Sequence, residues 1–458
     1  MSQNREQWGS KLGFILAASG SAVGIGNIWK YPHMAGQNGG AAFTLVYLAC
    51  IFVVGLSIVI AEFVIGRKTQ LSPVGAFEKL APGTNWKWVG FLGVASAFVI
   101  LSFYGVVGGW VLKYVIVSIT GGFNELAGDP DAAGNVFNTF ITDTWSPIIY
   151  QVFFMAFCVW VIVNGVKGGI EKWSKIMMPL IVVLLAVLAV RGMTLEGGMK
   201  GISFLFNPRF EDLTANSIVL ALGHSFFTVS LGMGTMITYG SYLNRKQNLL
   251  NAALWVIALD TAIAMLAGIA IFTTVFALGA NPAEGPGLIF VVLPSVFPQL
   301  AAGTLWGTIF FVLLFMAALT SAISILEVVT AYFIDQKGWS RKKATIQFGA
   351  VITVVGVFCS LSMGGGVNIT EFLGMTFFDV MDYLSAKYML PIGGMLTAIF
   401  ILRKWGISNY MAELKSGMGD TNISSRLVQV VLTIAAAVVA FIIFNEVYAE
   451  IFGKALIG

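Results

Sequence analysis

Two short stretches decide how this chain folds: Gly20-Ser-Ala-Val-Gly-Ile-Gly-Asn27 and Thr228-Val-Ser-Leu-Gly-Met-Gly-Thr235. Each sets Gly-x-Gly, flanked by Asn or by hydroxyl side chains, in the middle of a run long and apolar enough to cross a bilayer. Glycine costs about 1 kcal/mol at each helix-interior site, so a cluster invites the helix to unwind. An unwound turn leaves N–H and C=O groups that hydrocarbon does not satisfy, and it must therefore line a polar cavity. Helix N-termini attract anions and free carbonyls attract cations, a pair of needs that a zwitterion and an alkali cation meet together. Close helix packing through small residues is the alternative for either stretch alone. Two such stretches, five spans apart, favour a pair of broken helices.

The rest of the chain surrounds these breaks with membrane. Of 458 residues, 57% are hydrophobic and 10% charged, against roughly 25% charged in a soluble chain, and the mean hydropathy is +0.86. One soluble core could not hide that much apolar surface. A net charge of +4 is too mild to imply a nucleic-acid partner. Cys50, Cys158 and Cys359 each sit inside an apolar stretch and read as small core residues, with neither metal-ligand spacing nor a disulfide framework.

Charge-poor runs from 12–29 through to 427–445 predict 11 transmembrane helices in an all-α integral membrane fold. The run 285–326 is too long for one helix, and its first part, with Pro286, Pro294 and Pro298, reads as a re-entrant or capping loop. Spans one and six are corresponding members of two five-helix halves, the pattern of an inverted-repeat transporter. The expected organisation is a single domain, 1–458, with a first repeat at 11–190, a second at 211–402 and an additional helix at 423–445. The first run follows Arg5 and Lys11 as a signal peptide would, but its glycines and polar residues read as a true span. Most of the 26 basic residues fall on the N-terminal side of the membrane, while Glu125, Asp129, Asp131 and Asp143 fall on the other. The positive-inside rule then puts the N-terminus in the cytoplasm and, with 11 spans, the C-terminus outside.

Asp260 lies inside span seven, where a lone carboxylate costs roughly 2.5–3.5 kcal/mol on insertion scales and needs a cavity, a cation or a partner. Span eight offers Ala317-Ala-Leu-Thr-Ser-Ala322, whose hydroxyls either bond back to their own helix or join broken-helix carbonyls in an all-oxygen cation site.

These residues resemble the neurotransmitter:sodium symporter family over nearly the whole chain, in its bacterial amino-acid branch of multi-hydrophobic amino-acid transporters with the leucine-transporter fold. Trp8-Gly-Ser-Lys-Leu-Gly-Phe-Ile-Leu-Ala17, Val23-Gly-Ile-Gly-Asn-Ile-Trp-Lys-Tyr-Pro32 and Asn38-Gly-Gly-Ala-Ala-Phe43 match its first-helix signature. Glu62-Phe-Val-Ile-Gly-Arg67, Ser225-Phe-Phe-Thr-Val-Ser-Leu-Gly-Met-Gly234 and Leu319-Thr-Ser321 follow in the family's order.

The resemblance implies a sodium-coupled symporter of the bacterial inner (plasma) membrane that imports hydrophobic or aromatic L-amino acids by alternating access. It implies two Na+ sites: the Ala22 carbonyl, Asn27, Thr228, Asp260 and the substrate carboxylate at the first, and Gly20, Val23, Ala317, Thr320 and Ser321 at the second. The substrate carboxylate would meet the Ile25 and Gly26 amides and the Tyr104 hydroxyl. Its amine would meet Ala22, Phe227, Thr228 and Ser230, with Ser321 beside it. Gly24 stands where the family's amine transporters carry an aspartate, which favours a substrate that brings its own carboxylate. Ile100, Phe227, Met233 and Ile325 would line the side-chain pocket, where a flexible Met adapts to a large apolar group.

The resemblance further implies an outer gate of Lys30 and Asp382 above Tyr104 and Phe227, with Lys in place of the family's usual, bidentate Arg. An inner gate would join Arg5 and Trp8 to Asp335, Ser241 and Tyr242. Gly169 and Pro179 would bracket a turn that unwinds to admit water for sodium release, so that replacing Gly169 by Leu should slow uptake. Asp260 and Ala264 stand where chloride-dependent members carry Asn and Ser, which implies no chloride requirement. His224, in place of the family's Gln, is read as a pH sensor that pairs with Asp260. A sodium-independent or proton-coupled carrier, and a non-transporting amino-acid sensor, are the rival readings. An enzyme is disfavoured, since no metalloprotease, nucleophile-elbow or P-loop motif is present. The expected partners are the lipid bilayer and a small-molecule amino acid, with the protein a monomer or homodimer.

Overall fold

The computed structural model describes residues 5–280, 287–364, 374–418 and 423–453. Among them the chain is a helical bundle with no extended strand. We number its principal helices in order: α1 (Lys11–Ala22), α2 (Gly26–Gln37), α3 (Ala41–Thr69), α4 (Lys87–Ile119), α5 (Ser146–Val163) and α6 (Val166–Met193). There follow α7 (Ala215–Thr228) and α8 (Thr235–Gly240), then α9 (Leu249–Ala277), α10 (Leu288–Gln299), α11 (Gly303–Lys337), α12 (Arg341–Leu361) and α13 (Phe377–Trp405). The bundle ends with α14 (Ile407–Lys415) and α15 (Ser425–Phe452).

Nine of the described helices are long and apolar enough to cross a membrane alone, and α1 with α2 makes a tenth crossing bent by 51°. Helix length therefore supports ten crossings rather than the expected 11. Segments α7 and α8 have 14 and 6 residues, each too short to span, and only if they count as one interrupted crossing is the expected number reached. The apolar helix α10 is likewise too short to span, which fits a re-entrant or capping element; Pro286 lies outside the described residues. Helix α6 begins earlier than its uncharged stretch suggested, because Lys167, Lys172 and Lys175 cluster in its first turns, where charge reaches the membrane edge.

Burial separates centre from rim. Of the apolar window of α11, 83% is buried, against 22% for α15, so α11 is a core column and α15 lies against the outside. The side chains of Phe444 and Ile451 on α15 face outward, as a lipid-exposed helix requires.

One end of the bundle is tied by a buried guanidinium. Arg67, at the end of α3, has a fully buried side chain and pairs with Glu413 of α14 at 2.8 Å. It also donates to the Gln247 carbonyl at 2.6 Å, to Ser416 Oγ at 2.9 Å and to the Glu413 carbonyl. Removing Arg67 leaves the buried Glu413 only the partly exposed Lys68, 3.5 Å away, and losing a buried partner costs up to about 3–5 kcal/mol. Arg67→Ala should accordingly unfold at clearly lower temperature or denaturant in a detergent melt; an unchanged midpoint would contradict this account of the tie.

Candidate functional site: a pair of helix breaks at the bundle centre

Helix α1 stops at Ala22 and α2 starts at Gly26, leaving Val23, Gly24 and Ile25 between them. The break is required by close approach. A Cβ on Gly24 would lie 2.5 Å from Ser321 Oγ and 3.2 Å from Tyr104 Oη. The Asn27 side chain folds back so that its Oδ1 accepts the Gly24 amide at 3.1 Å. The second break, residues 229–234, contains three left-handed residues: Ser230 (φ 54), Gly232 (φ 77) and Gly234 (φ 76). The freed amide of Gly232 donates to Glu62 Oε1 at 2.8 Å, and the Ser230 hydroxyl donates to the Ser21 carbonyl at 2.9 Å. The second break thus touches the last turn of α1, and buried polar groups satisfy part of the open backbone of both breaks.

Two oxygen clusters flank the breaks. At the first, Asp260 of α9 is wholly buried. Its Oδ1 accepts Asn27 Nδ2 at 2.7 Å and Thr228 Oγ1 at 3.0 Å, while Oδ2 accepts Tyr47 Oη at 3.4 Å. All three donors are neutral. Among the described residues no cationic side chain lies within ion-pair distance of this carboxylate. At the second cluster Thr320 Oγ1 lies 3.0 Å from the Ala317 carbonyl and 3.4 Å from that of Val23. Ser321 Oγ lies 3.5, 3.2 and 3.4 Å from the carbonyls of Gly20, Ser21 and Val23. All of these exceed the 2.7–2.8 Å typical of a hydroxyl hydrogen bond. Such spacing suits oxygens gathered around a hard cation, the ion type that carboxylate, carbonyl and hydroxyl ligands select.

Between the clusters lies a cavity of about 20 Å³, room for one water. Ala22, Gly24, Gly26, Ile100, Tyr104, Phe227, Thr228, Ser230, Met233, Ser321 and Ile325 line it, together with Ser21, which the sequence reading missed. Ile25 lies instead on a cavity next to it, with Phe103, Lys30 and Asp382, although its amide faces Tyr104 Oη at 3.4 Å. Gly26, Tyr104 and Phe227 border both cavities. An amino acid needs far more than 20 Å³, so its entry requires the walls of this cavity to move.

Both clusters that were expected to gate the site are assembled. Lys30 Nζ stands 3.2 Å from Asp382 Oδ1 and 4.2 Å from the centre of the Phe227 ring. Both partners are about one-third exposed, so this pair adds little on its own. At the other end Arg5 pairs with Asp335, donates to Ser241 Oγ at 2.6 Å and sits 4.7 Å above the Tyr242 ring. The Trp8 amide donates to the Tyr242 carbonyl at 3.2 Å and its indole to the Tyr239 carbonyl at 3.0 Å.

A family model described as the sodium:neurotransmitter symporter family matches residues 5–127 and 141–453. The chain belongs to this family. It is 41% identical over 415 residues to an uncharacterized sodium-dependent transporter, YhdH, of Bacillus subtilis (strain 168), covering 91% of each chain. An uncharacterized sodium-dependent transporter of Methanocaldococcus jannaschii is 33% identical over 455 residues, covering 94% of this chain and 89% of the other. The crystal structure of MhsT in complex with L-phenylalanine superimposes with a TM-score of 0.88 at 47% identity, covering 96% of this chain and 99% of that one. The fold is therefore the leucine-transporter fold, and the protein is a sodium-dependent, multi-pass membrane transporter of a small molecule rather than an enzyme.

Two expectations change on the symporter's own geometry. His224 does not pair with Asp260: among the described residues neither of its ring nitrogens has a hydrogen-bond partner. Asn27, Thr228 and Tyr47 occupy the carboxylate, and the imidazole packs against the Tyr47 ring at 5.3 Å and the Tyr31 ring at 6.5 Å. A pH sensor built on that pair loses its contact. Gly169 does lie in an altered turn, since Val166–Glu171 is π-helical. However, any Cβ at Gly169 would run into the Val161 carbonyl of α5. Gly169→Leu therefore changes the α5–α6 contact as well as the turn, and slow uptake in that variant would not separate the two causes.

Proposed function

We propose that this symporter imports hydrophobic or aromatic L-amino acids together with sodium, by alternating access and without a chloride requirement. The observation that carries the reading is Asp260: a wholly buried carboxylate with only neutral donors, beside a small cavity with apolar walls. A cation is what such a group needs. Asn27, Thr228, Asp260 and the Ala22 carbonyl would hold one sodium ion, and the Thr320–Ser321 cluster a second. The substrate carboxylate, turned toward the Ile25 amide and Tyr104, would complete the first site. Each of the two ligands would then raise the other's affinity by the same factor.

Gly24 leaves no carboxylate of the protein's own for a monoamine, and Ile100, Met233, Ile325 and Phe227 offer apolar contact to a large side chain. The phenylalanine complex of MhsT supports an aromatic substrate here by likeness. The fixed charge of Asp260 would serve where chloride-dependent relatives need the anion. The N-terminus would lie in the cytoplasm of a bacterial cell, with the halves 11–190 and 211–402 moving against each other around the breaks.

Equilibrium binding of radiolabelled L-phenylalanine to the purified protein tests this. Binding should appear in sodium chloride and sodium gluconate alike and be absent in potassium chloride. Thr320→Ala with Ser321→Ala should raise the half-saturating sodium concentration roughly tenfold or more, from the lost hydroxyl ligands. Phenylalanine binding of equal strength in potassium would refute the reading.

A further inference from the structure

Residues 5–13 are fastened to the start of α6 at two points that the binding site does not use. At one, Glu6 Oε2 accepts the Val166 amide at 2.7 Å while its Oε1 accepts Arg341 Nε at 2.9 Å. At the other, the Glu171 side chain, 4% exposed, gathers three donors. The Gly9 amide reaches Oε2 at 2.6 Å, the Ser10 hydroxyl reaches Oε1 at 2.8 Å, and Lys175 Nζ shares Oε1. The Ser10 oxygen in turn accepts the Gly13 amide at 3.0 Å and so caps α1. The approach is close enough that a Cβ on Gly13 would overlap the Glu171 carboxylate, and one on Gly9 would lie 3.1 Å from it. These two clips bracket one turn, Val166–Glu171, whose π-helical winding is looser than an α-helix.

We propose that Glu171 is a positioning residue for sodium release: it couples the first turn of α6 to the N-terminal end of α1, so that the two open together. The proposal rests on the reading that this turn unwinds to admit water. Unwinding residues 166–171 carries the Glu171 carboxylate away from the Gly9 amide and the Ser10 hydroxyl. The α1 cap then loses the group that orients it. Helix α1 leads directly to the Gly20, Ser21 and Val23 carbonyls of the second cation cluster. Loosening its start therefore weakens the cluster as water arrives. By reciprocity, a cation that holds those carbonyls holds α1, keeps Ser10 against Glu171 and keeps the turn wound. The Lys175 contact alone does not explain the arrangement, because an i,i+4 pair on α6 requires neither a buried carboxylate nor two glycines on the facing segment.

Hydrogen–deuterium exchange of the full chain in lipid nanodiscs, in sodium or in potassium, tests the coupling. In the unaltered protein, peptides covering 166–171 and 9–13 should both exchange slowly in sodium and faster, together, in potassium. Glu171→Gln and Glu171→Ala should raise exchange at 9–13 roughly tenfold in sodium, from loss of charge-assisted hydrogen bonds, and flatten its response to potassium. If 166–171 opens in potassium while 9–13 stays protected, the coupling is wrong and the transport reading stands. If 166–171 ignores the cation altogether in the unaltered protein, both the coupling and the unwinding reading fall.

Discussion

Asp260→Ala should abolish sodium-driven uptake and weaken sodium binding by about a hundredfold or more. The substitution leaves Asn27 Nδ2, Thr228 Oγ1 and Tyr47 Oη without their shared acceptor in a wholly buried site. Each stranded donor costs about 1–3 kcal/mol, and the cation loses the one charged ligand that the protein itself would supply. Asp260→Asn separates shape from charge. It should retain the fold, show little uptake in chloride-free medium and regain a part when chloride is added, because the missing charge is then supplied by the anion. Binding of radioactive sodium, with and without chloride, reads both effects. Full sodium affinity in Asp260→Ala would remove the carboxylate from the cation site.

Gly24→Ala should weaken amino-acid binding by about ten- to a hundredfold, the equivalent of the roughly 1–3 kcal/mol that overpacking costs. The added methyl would point at Ser321 Oγ, 2.5 Å away, and at Tyr104 Oη, 3.2 Å away, so the strain falls on the pocket wall. Both neighbours are groups on which substrate and cation contacts are proposed to depend. Phenylalanine binding by scintillation proximity, alongside a melt to show that the variant is folded, measures this. An unchanged dissociation constant would mean that the Gly24 approach has no bearing on the ligand.

The breaks were legible because two glycine clusters recur five spans apart with polar neighbours, which close packing of either alone does not require, and the backbone does part at Gly24 and again between Thr228 and Thr235. Pocket and cation-cluster positions followed from the resemblance, and apart from Ile25 the expected pocket residues line one cavity. Ser21 escaped because its part is played by a carbonyl, and any residue type supplies that; only its contacts with Ser230 and Ser321 reveal it. The contact of Glu62 with the Gly232 amide was hidden for a related reason: the motif shows a buried acid but not which freed amide it meets.

Long-range ties were also out of reach. Arg67 and Glu413 come from distant parts of the chain, and no local pattern announces their pairing. The Glu171 contacts with Gly9 and Ser10 are of the same kind. For His224 the sequence offered a plausible neighbour in Asp260, yet three other donors occupy that carboxylate. Competition for lone pairs is a property of the assembled site, and composition does not carry it.

The central claim is sodium-coupled amino-acid transport that ignores chloride. Uptake of radiolabelled phenylalanine or tryptophan into proteoliposomes, with sodium, potassium or choline outside and chloride present or replaced by gluconate, tests it most directly. Accumulation above the external concentration, driven by a sodium gradient and equal in both anions, is the predicted result. Equal uptake in potassium or choline, or accumulation only with chloride, would contradict it.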